Sequence, residues 1–378
     1  MKLGKFVGLA LMALTLGLAG QSLAAEPIKI GVYLPLTGQN AFGGQLELEG
    51  VQLALKDMPE VLGRPIELVV VDNKSDKVEA ANAVKRLVER DKVVALIGTY
   101  GSSLAMAGAE VAEKAKVPGV GTSCTSPLVT QGKKYYFRAC FIDPYQGKKM
   151  ADYAVEKLSA KTAAIFYQTG SDYSEGLMNA FAEEAKAIGL EIVDTEAFAE
   201  GDKDFKAQMT NIAAAAPDVV FAPIYYAEAG LAITAARAAG CTATFMGGDG
   251  FGSVKNYASA DDLEGSVYCS GYAPGTDSVK QFEEDYKAAY NVDEIPNMFA
   301  PLAYDAAMLL CEGLKAAEAQ GLTAGTDEYK QAVIDAIKTM DGTEGITGSY
   351  AFDEFNNPIK PVAIIELTGG NEVYQEMF

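Results

Sequence analysis

IKIGVYLPLTGQNAFGG (28–44) and AAIFYQTGSDYSEG (163–176) each run from an apolar strand through a glycine-containing loop into a helix. Both open on a nearly continuous apolar run, which is typical of a strand buried on both faces of a parallel sheet. In both, a Thr-Gly pair follows the strand, at Thr37-Gly38 and at Thr169-Gly170. This repeated opening predicts two α/β units of the same architecture.

The sequence downstream of each opening continues the alternation of strands and helices. Apolar runs predict further strands at 66–72, 93–98, 118–122 and 135–143 in the first series, and at 191–198, 218–224 and 244–248 in the second. Beyond residue 272 the pattern predicts helices over 278–290, 298–318 and 327–339, and then strands over 348–353 and 361–369 on either side of a turn at 356–358.

The fold class that follows is α/β, with two doubly wound Rossmann-like lobes. No long Pro-rich, Ser-rich or low-complexity linker separates the two series. We therefore predict a hinge of several short crossings, which allows the lobes to close on a ligand. The predicted lobes are 26–143 with 276–350, and 144–275 with 351–378.

The first 24 residues have the pattern of a cleaved signal peptide. Lys2 and Lys5 precede an apolar run from Phe6 to Leu18, and small residues lie near a cleavage point after Ala24. The run is shorter than the roughly 20 residues that span a bilayer. We expect export to the periplasm without direct membrane insertion.

The composition argues against most catalytic chemistry. The chain of 378 residues contains no His, which removes the usual general base, the Ser-His pair and the commonest metal ligand. Its five Cys show no Cys-x-x-Cys spacing, so neither a metal nor another cofactor is expected, and whether any pair is bridged stays open. A formal charge of −20 disfavours nucleic acid as a partner.

Loops that follow the predicted strands carry the candidate binding residues, because ligands of doubly wound sheets bind at the carboxyl ends of strands. Ser102 at a helix start, with Ser123 and Thr125 in the next loop, offers hydroxyl and N–H donors suited to a carboxylate. Ser102 taken alone is better explained as a helix cap, and the hydroxyls of the second loop are what favour the binding role.

Asp249 lies in the loop 247–250 of the second series and is a candidate partner for an ammonium group. A turn-stabilising aspartate is the structural alternative. Tyr173 and Tyr225 lie in neighbouring loops and add hydroxyls and ring faces, although ordinary core packing also explains them. Opposed acceptors and donors predict capture of a zwitterion.

From Ile28 to about Thr368 the chain resembles the leucine/isoleucine/valine-binding family of ABC importers, the type I periplasmic binding proteins. The resemblance rests on several motifs in order: IGVYLPLTG (30–38), Phe137-Arg138 with Asp143 and Gln146-Gly147, Tyr173-Ser-Glu-Gly176, AARAAG (235–240) and Tyr304-Asp-Ala-Ala307. It implies that Ser102, Ser123, Cys124 and Thr125 hold the ligand carboxylate, with Tyr173, Tyr225, Asp249 and Phe299 completing the site. The aromatic residue expected in the first glycine loop falls at Gly43, so Phe42 and Tyr100 are expected to shape the side-chain pocket.

The expected function is capture of an amino acid, aliphatic or branched-chain, by a monomeric binding protein that delivers it to the membrane permease of an ABC importer. A protein that senses the ligand for a membrane receptor is the first alternative. A binder of an amide, urea or aromatic acid on the same fold is the second. An exported enzyme that uses Asp249 or Asp172 as acid or base is disfavoured, because no paired-carboxylate or nucleophile signature accompanies them.

Overall fold

The structure is a computed structural model that describes residues 26–295 and 297–378. The predicted signal peptide, 1–24, lies outside the described residues. Among the residues described, no helix combines the length and apolarity that a bilayer crossing requires. All five cysteines are buried free thiols.

A six-stranded sheet forms the centre of the first lobe, in the order β2-β3-β1-β4-β5-β6. All pairs are parallel except β2 with β3. Its elements are β1 (Ile28–Leu34), α1 (Ala41–Asp57), β2 (Glu60–Val61), β3 (Arg64–Asp72), α2 (Lys77–Glu89), β4 (Ala95–Ile97), α3 (Ser102–Lys114), β5 (Gly119–Gly121) and β6 (Tyr136–Arg138).

A seven-stranded sheet forms the second lobe, in the order β15-β14-β11-β10-β9-β7-β8. Its elements up to β11 are α4 (Asp143–Glu156), β7 (Thr162–Gln168), α5 (Asp172–Ile188), β8 (Glu191–Phe198), α6 (Lys206–Ala215), β9 (Val219–Phe221), α7 (Tyr226–Ala238), β10 (Thr244–Gly247), α8 (Ala260–Leu263) and β11 (Val267–Ser270). These strands pair in parallel.

The C-terminal elements divide between the lobes. They are α9 (Lys280–Tyr290), α10 (Phe299–Ala319), α11 (Asp327–Lys338), β12 (Asp341–Gly345), β13 (Gly348–Ala351), β14 (Ala363–Thr368) and β15 (Asn371–Met377). Helix α10 packs on α1 and against β4 and β5, so it belongs with the first lobe. Strand β14 pairs antiparallel with β11, and β15 pairs with β14, which extends the second sheet.

The two parallel cores have the same winding. Strands β3-β1-β4-β5-β6 and strands β8-β7-β9-β10-β11 both follow the doubly wound order 2-1-3-4-5. The prediction of two lobes with duplicated architecture is confirmed. In each sheet the order reverses beside the first strand, between β1 and β4 and between β7 and β9, and this switch point is where such folds bind ligands.

Two local predictions differ from the structure. The run 135–143 is a strand only over Tyr136–Arg138, because α4 already begins at Asp143, with Pro144 in its first turn. The strands on either side of the turn at 356–358 exist, but β13 pairs with β12 and β14 pairs with β11 and β15. A single bridge between Phe352 and Pro358 joins the two flanks of the turn.

Within the described residues the chain passes between the two sheets three times, after β6, after β11 and after β13. Lys360 of the third passage is fully buried, where its Nζ bonds the Thr347 hydroxyl and lies 3.9 Å from Asp305 Oδ2 of α10. Burial lowers the pKa of Lys360 to about 7. The division at residues 143/144, 275/276 and 350/351 stays a prediction.

Candidate functional site

Loops from both switch points face each other across one cleft. The first lobe contributes the loops after β4 and β5, and the second lobe contributes the loops after β9 and β10 with the first turn of α5. Hydrogen bonds join the two sides: the Ser103 hydroxyl donates to Asp172 Oδ2 over 2.6 Å, and the Gly43 N–H donates to the Tyr226 hydroxyl over 3.2 Å. The lobes therefore contact each other directly across the cleft.

Two buried carboxylates, Asp143 and Asp249, share the side-chain amide of Gln146. Gln146 Nε2 donates to Asp143 Oδ1 over 2.9 Å and to Asp249 Oδ1 over 3.1 Å. Its Oε1 accepts from the Asp249 N–H over 3.1 Å and from the Cys269 thiol over 3.0 Å. The three side chains form a fixed acceptor unit, which we call the acid clamp.

Backbone geometry places the acid clamp. Asp143 and Gln146 lie one turn apart at the start of α4, on the same face of the helix. Asp249 follows β10, and a Cβ on Gly248 would lie 2.5 Å from Leu177 Cδ2, so only glycine fits directly before it. The Asp143 N–H donates to the Thr125 carbonyl over 2.9 Å, which holds the clamp against the first lobe.

Burial raises the pKa of both carboxyls. The pKa of Asp249 rises to about 6, opposed by hydrogen bonds from Gln146 and Tyr173. The pKa of Asp143 rises to about 8, because burial and the charge of Asp249 outweigh the hydrogen bonds that it accepts. Asp143 Oδ2 has no hydrogen-bond partner among the described residues. The acid clamp is thus a desolvated site that a cation or strong donor stabilises.

Tyr173 and Tyr225 form the second lobe's aromatic wall. Tyr173 lies in the first turn of α5, whose N-cap Ser171 accepts from the Ser174 N–H. The Tyr173 hydroxyl accepts from the Gly250 N–H over 2.9 Å, and its ring stacks on Tyr225 with centroids 4.9 Å apart. Burial and the nearby Asp249 raise the pKa of Tyr225, and a hydrogen bond from the Ser102 N–H opposes this rise. The Tyr225 hydroxyl therefore reaches the first lobe.

Ser102 is the first residue of α3, where N–H groups at a helix start suit an anion. Its hydroxyl accepts from the Ser126 N–H over 3.0 Å, within the first lobe. Gly101 before it has a φ of 90°, a left-handed conformation that a side chain would strain. The structure brings Ser102 to the cleft, but its hydroxyl is used for a hydrogen bond between two loops of the first lobe.

Ser123 is bonded to a carboxylate of the protein itself. Its N–H donates to Glu47 Oε1 over 3.2 Å, and its hydroxyl bonds the same oxygen. Glu47 lies on α1 and is completely buried, which raises its pKa to about 7. Both donors that the sequence suggested for a ligand carboxylate are thus engaged by Glu47.

Thr125 and Cys124 take different positions. Thr125 is buried beside Asp143, and its hydroxyl lowers the pKa of that carboxyl. The Cys124 side chain packs in the first-lobe core with Tyr33 and Tyr136, so the structure does not bring it into the cleft. The Cys124 carbonyl accepts from Arg138 over 2.7 Å, within the first lobe.

Aromatic rings continue the wall into the first lobe. Tyr100 lies 5.2 Å from Tyr225 and 4.8 Å from Phe299, which packs edge-on to it at the start of α10. Phe42 contacts the edge of Tyr226 at 5.9 Å. The structure brings these predicted rings together with Tyr173 and Asp249, and it adds Tyr226.

Four contributing residues were absent from the predicted site. Asp143 and Gln146 lay in a quoted motif, and the signal for them was a carboxylate and an amide three residues apart, the spacing of one helical turn. Glu47 was signalled by a charge four residues from Gly43 on the buried face of α1. Tyr226 had no signal beyond adjacency to Tyr225. These residues are Glu47, Asp143, Gln146 and Tyr226.

Duplicated α/β lobes, several hinge passages and a polar cleft at paired switch points define a two-lobed small-molecule binding protein. The family described as "Periplasmic binding protein" matches residues 27–371. The chain belongs to this periplasmic binding protein family.

Two curated relatives from Pseudomonas aeruginosa are similar to the chain. The amino acid binding protein is 34% identical over 239 residues, which are 62% of this chain and 63% of that protein. The leucine-, isoleucine-, valine-, threonine- and alanine-binding protein is 30% identical over 350 residues, covering 89% of each chain.

Two solved structures share the fold. The leucine binding protein LivK from Thermotoga maritima is 34% identical with a TM-score of 0.86, covering 93% of this chain and 98% of that chain. The branched-chain amino acid transporter substrate binding protein LivJ from Streptococcus pneumoniae, in complex with isoleucine, is 33% identical with a TM-score of 0.86, covering 93% and 99%. The prediction of a type I periplasmic binding fold is confirmed, as is that of a binding protein rather than an enzyme.

Proposed function

We propose that the protein captures a zwitterionic amino acid with an uncharged side chain of modest size, the aliphatic and branched-chain amino acids being the class to test first. The observation that carries the proposal is the acid clamp, a buried acceptor unit facing the helix-start N–H groups of α3 across the cleft. An ammonium group fits the clamp, and a carboxylate fits the helix start.

The cleft's charge supports an uncharged side chain. Arg138 is the buried cation of this region, and it donates to the Cys124 and Ser126 carbonyls and to the Thr130 hydroxyl. Lys77 at the cleft edge pairs with Asp172 over 3.4 Å. Since the terminal nitrogens of Arg138 and the Lys77 ammonium are already engaged, a ligand with an acidic side chain is expected to gain little from either cation.

Asp249→Ala tests the proposal. Removing the carboxylate leaves the ligand ammonium buried without its charge, which we expect to weaken binding by at least about 100-fold, or about 2.7 kcal/mol. Isothermal titration calorimetry with a panel of amino acids measures this, and the exposed Asp261→Ala in the same lobe is the matched control. Unchanged affinity in Asp249→Ala overturns the zwitterion assignment.

The proposed setting is the periplasm, where the closed, loaded protein delivers its amino acid to the permease of an ABC importer. The family and the printed description of the Streptococcus pneumoniae structure support this setting. Pull-down from membranes with and without the amino acid is expected to recover a permease preferentially with the loaded protein. Recovery of a receptor instead supports the sensing alternative, and N-terminal sequencing of the mature protein tests cleavage near Ala24.

A further inference from the structure

The first lobe's side of the cleft is built around the contact between Tyr100 and Gly43. A Cβ on Gly43 would lie 2.7 Å from Tyr100 Cε2 and 2.8 Å from Cδ2, closer than real Cβ atoms approach. The φ of Gly43 is not positive, so glycine is required here for space and not for backbone freedom. The Tyr100 ring therefore occupies the position that a side chain at residue 43 would take.

The Tyr100 hydroxyl is buried and has no hydrogen-bond partner among the described residues. Burial raises the pKa of Tyr100, and four nearby ionisable residues add to this effect. All four are residues of the cleft: Tyr226, Tyr225, Tyr173 and Asp249. Buried hydroxyls in folded proteins nearly always have a partner, and lacking one costs about 1–3 kcal/mol. The hydroxyl is thus a specific hydrogen-bonding group within the cleft that the protein itself does not satisfy.

Glu47 places a second polar group beside the same ring. It lies four residues after Gly43 on α1, so both face the same side of the helix. The Tyr100 N–H contributes to holding the pKa of Glu47 down against burial, which locates the carboxyl at the base of the tyrosine. Glu47 Oε2 is buried and has no hydrogen-bond partner among the described residues. The region around Tyr100 is therefore polar at two points, although Phe299 and Tyr226 wall it with rings.

The proposed positions for the ammonium and carboxylate groups of an amino acid lie away from the Tyr100 hydroxyl. The acid clamp lies on the second-lobe side, next to Thr125, and the start of α3 lies beside Tyr225. A ligand with its ammonium at the clamp and its carboxylate at α3 has its side chain along the ring wall. Tyr100 lies in that wall between Tyr225 and Phe299.

We propose that Tyr100 determines which uncharged amino acid is preferred: its hydroxyl hydrogen-bonds a polar group on the ligand side chain, so that threonine binds more tightly than its isostere valine. This inference rests on the proposed function. A site built around a buried hydrogen-bonding group discriminates against an analogue that leaves that group unpaired, whereas a purely apolar pocket discriminates weakly.

Calorimetric titration of threonine and valine into the wild-type protein and Tyr100→Phe tests the inference. In the wild type we expect the Kd for valine to exceed that for threonine by about tenfold. In Tyr100→Phe the ratio is expected to fall to about one, through weaker threonine binding and tighter valine binding. Tyr374→Phe, on β15 at the edge of the second sheet, is the matched control and is expected to keep the wild-type ratio.

The outcomes separate this inference from the proposed function. If the wild type binds neither amino acid nor any other in the panel, the proposed function fails. If it binds amino acids but the valine-to-threonine ratio is the same in wild type and Tyr100→Phe, the role of Tyr100 is overturned and the proposed function stands. A merely structural role changes both affinities alike and leaves the ratio unmoved. Thermal melting of the ligand-free variants checks folding, and removal of an unpartnered hydroxyl is expected to leave the Tm unchanged or raised.

Discussion

The two halves of the cleft use their polar groups differently. In the second lobe, Asp249 and Asp143 are held by Gln146, and Asp143 Oδ2 has no hydrogen-bond partner among the described residues. In the first lobe, the hydroxyls of Ser102 and Ser123 are already bonded to Ser126 and Glu47. Under the proposed function, this difference concentrates charge recognition in the acid clamp, while the first lobe offers helix-start N–H groups on a preformed support.

The Tyr225 hydroxyl links the two halves. It lies at the start of α3, 3.6 Å from where a Cβ on Gly101 would be, and the Ser102 N–H lowers the pKa of Tyr225 against the effect of burial. In the proposed function, a carboxylate at the start of α3 lies beside both the Ser102 N–H and the Tyr225 hydroxyl, one group from each lobe. Contacts of one ligand with both lobes would favour the closed, loaded state.

Among the tests of this comparison, Gln146→Leu in the second lobe is expected to cause the largest loss of amino-acid affinity. The substitution removes the donor that Asp143 and Asp249 share and leaves the Asp249 N–H without its acceptor. A hydrogen bond to a charged group contributes about 1.5–3 kcal/mol, and the bond to the ionised Asp249 is of this kind, so we expect amino-acid affinity to fall roughly 50-fold. Calorimetry measures this loss, with the exposed Gln375→Leu as the control. A loss below about threefold contradicts a clamp that depends on Gln146.

Glu47→Gln probes the first lobe through its stability. The pKa of Glu47 is raised to about 7, so in the folded state its carboxyl resists ionisation while the unfolded chain ionises near the ordinary value. Stability contributed by the protonated carboxyl is present at low pH and is lost as pH rises towards and through about 7. The glutamine variant does not ionise. Its stability relative to wild type is expected to increase by roughly 2 kcal/mol from pH 5 to pH 8.

Urea unfolding at both pH values measures the effect of Glu47→Gln. Glu49→Gln, on the same helix but half-buried, is the control. A difference between wild type and Glu47→Gln that does not change with pH contradicts the raised pKa. Amino-acid affinity is expected to change little, because Glu47 supports the Ser123 loop and the acid clamp lies on the other lobe.

Lowering the pH is expected to weaken amino-acid binding through Asp249 of the second lobe. The pKa of Asp249 is about 6, and its ionised form is the one that pairs with an ammonium group. Between about pH 6 and pH 7 the affinity is therefore expected to be nearly constant, and below pH 6 it is expected to fall roughly tenfold per pH unit. Asp143, with a pKa of about 8, keeps its proton through this range, so the pair holds one charge. Calorimetry at pH 7, 6 and 5 measures the fall, and a flat profile in the wild type contradicts the role of Asp249.

The sequence indicates the second-lobe residues of the candidate site better than the first-lobe residues, and the reason is physical. Asp249, Tyr173 and Tyr225 follow strand ends, and the carboxyl edge of a parallel sheet brings strand ends together whatever the rest of the chain does. Glu47 lies inside a helix, where a charged residue ordinarily faces water. Its burial depends on a loop 76 residues later in the sequence.

The same distinction applies to the fold. Continuous apolar runs predict the parallel strands, because both faces of those strands are covered by helices. Strand β13 pairs with β12, and strand β14 pairs with β11. The local turn residues at 356–358 do not reveal these partners. The Gln146 bridge joins residues 103 positions apart, so only the assembled lobes show that Asp143 and Asp249 form one unit.

The smallest expected effect comes from Ser102→Ala, and it separates the two descriptions of this serine. If the hydroxyl supports the first-lobe loops, as its bond to the Ser126 N–H indicates, alanine removes that bond and lowers stability by about 1 kcal/mol. The backbone N–H that faces a ligand carboxylate is retained, so affinity is expected to change less than about threefold.

Ser174→Ala is the matched control for Ser102→Ala, since the Ser174 hydroxyl, in the first turn of α5 in the second lobe, likewise accepts from a backbone N–H, that of Gln168. The two variants are expected to lose similar stability and to bind the amino acid almost as the wild type does. A tenfold loss of affinity in Ser102→Ala alone would show that the hydroxyl leaves Ser126 to bond the ligand. The first lobe would then grip the carboxylate with a side chain, and the contrast between the two halves of the cleft would be confined to the ligand-free state.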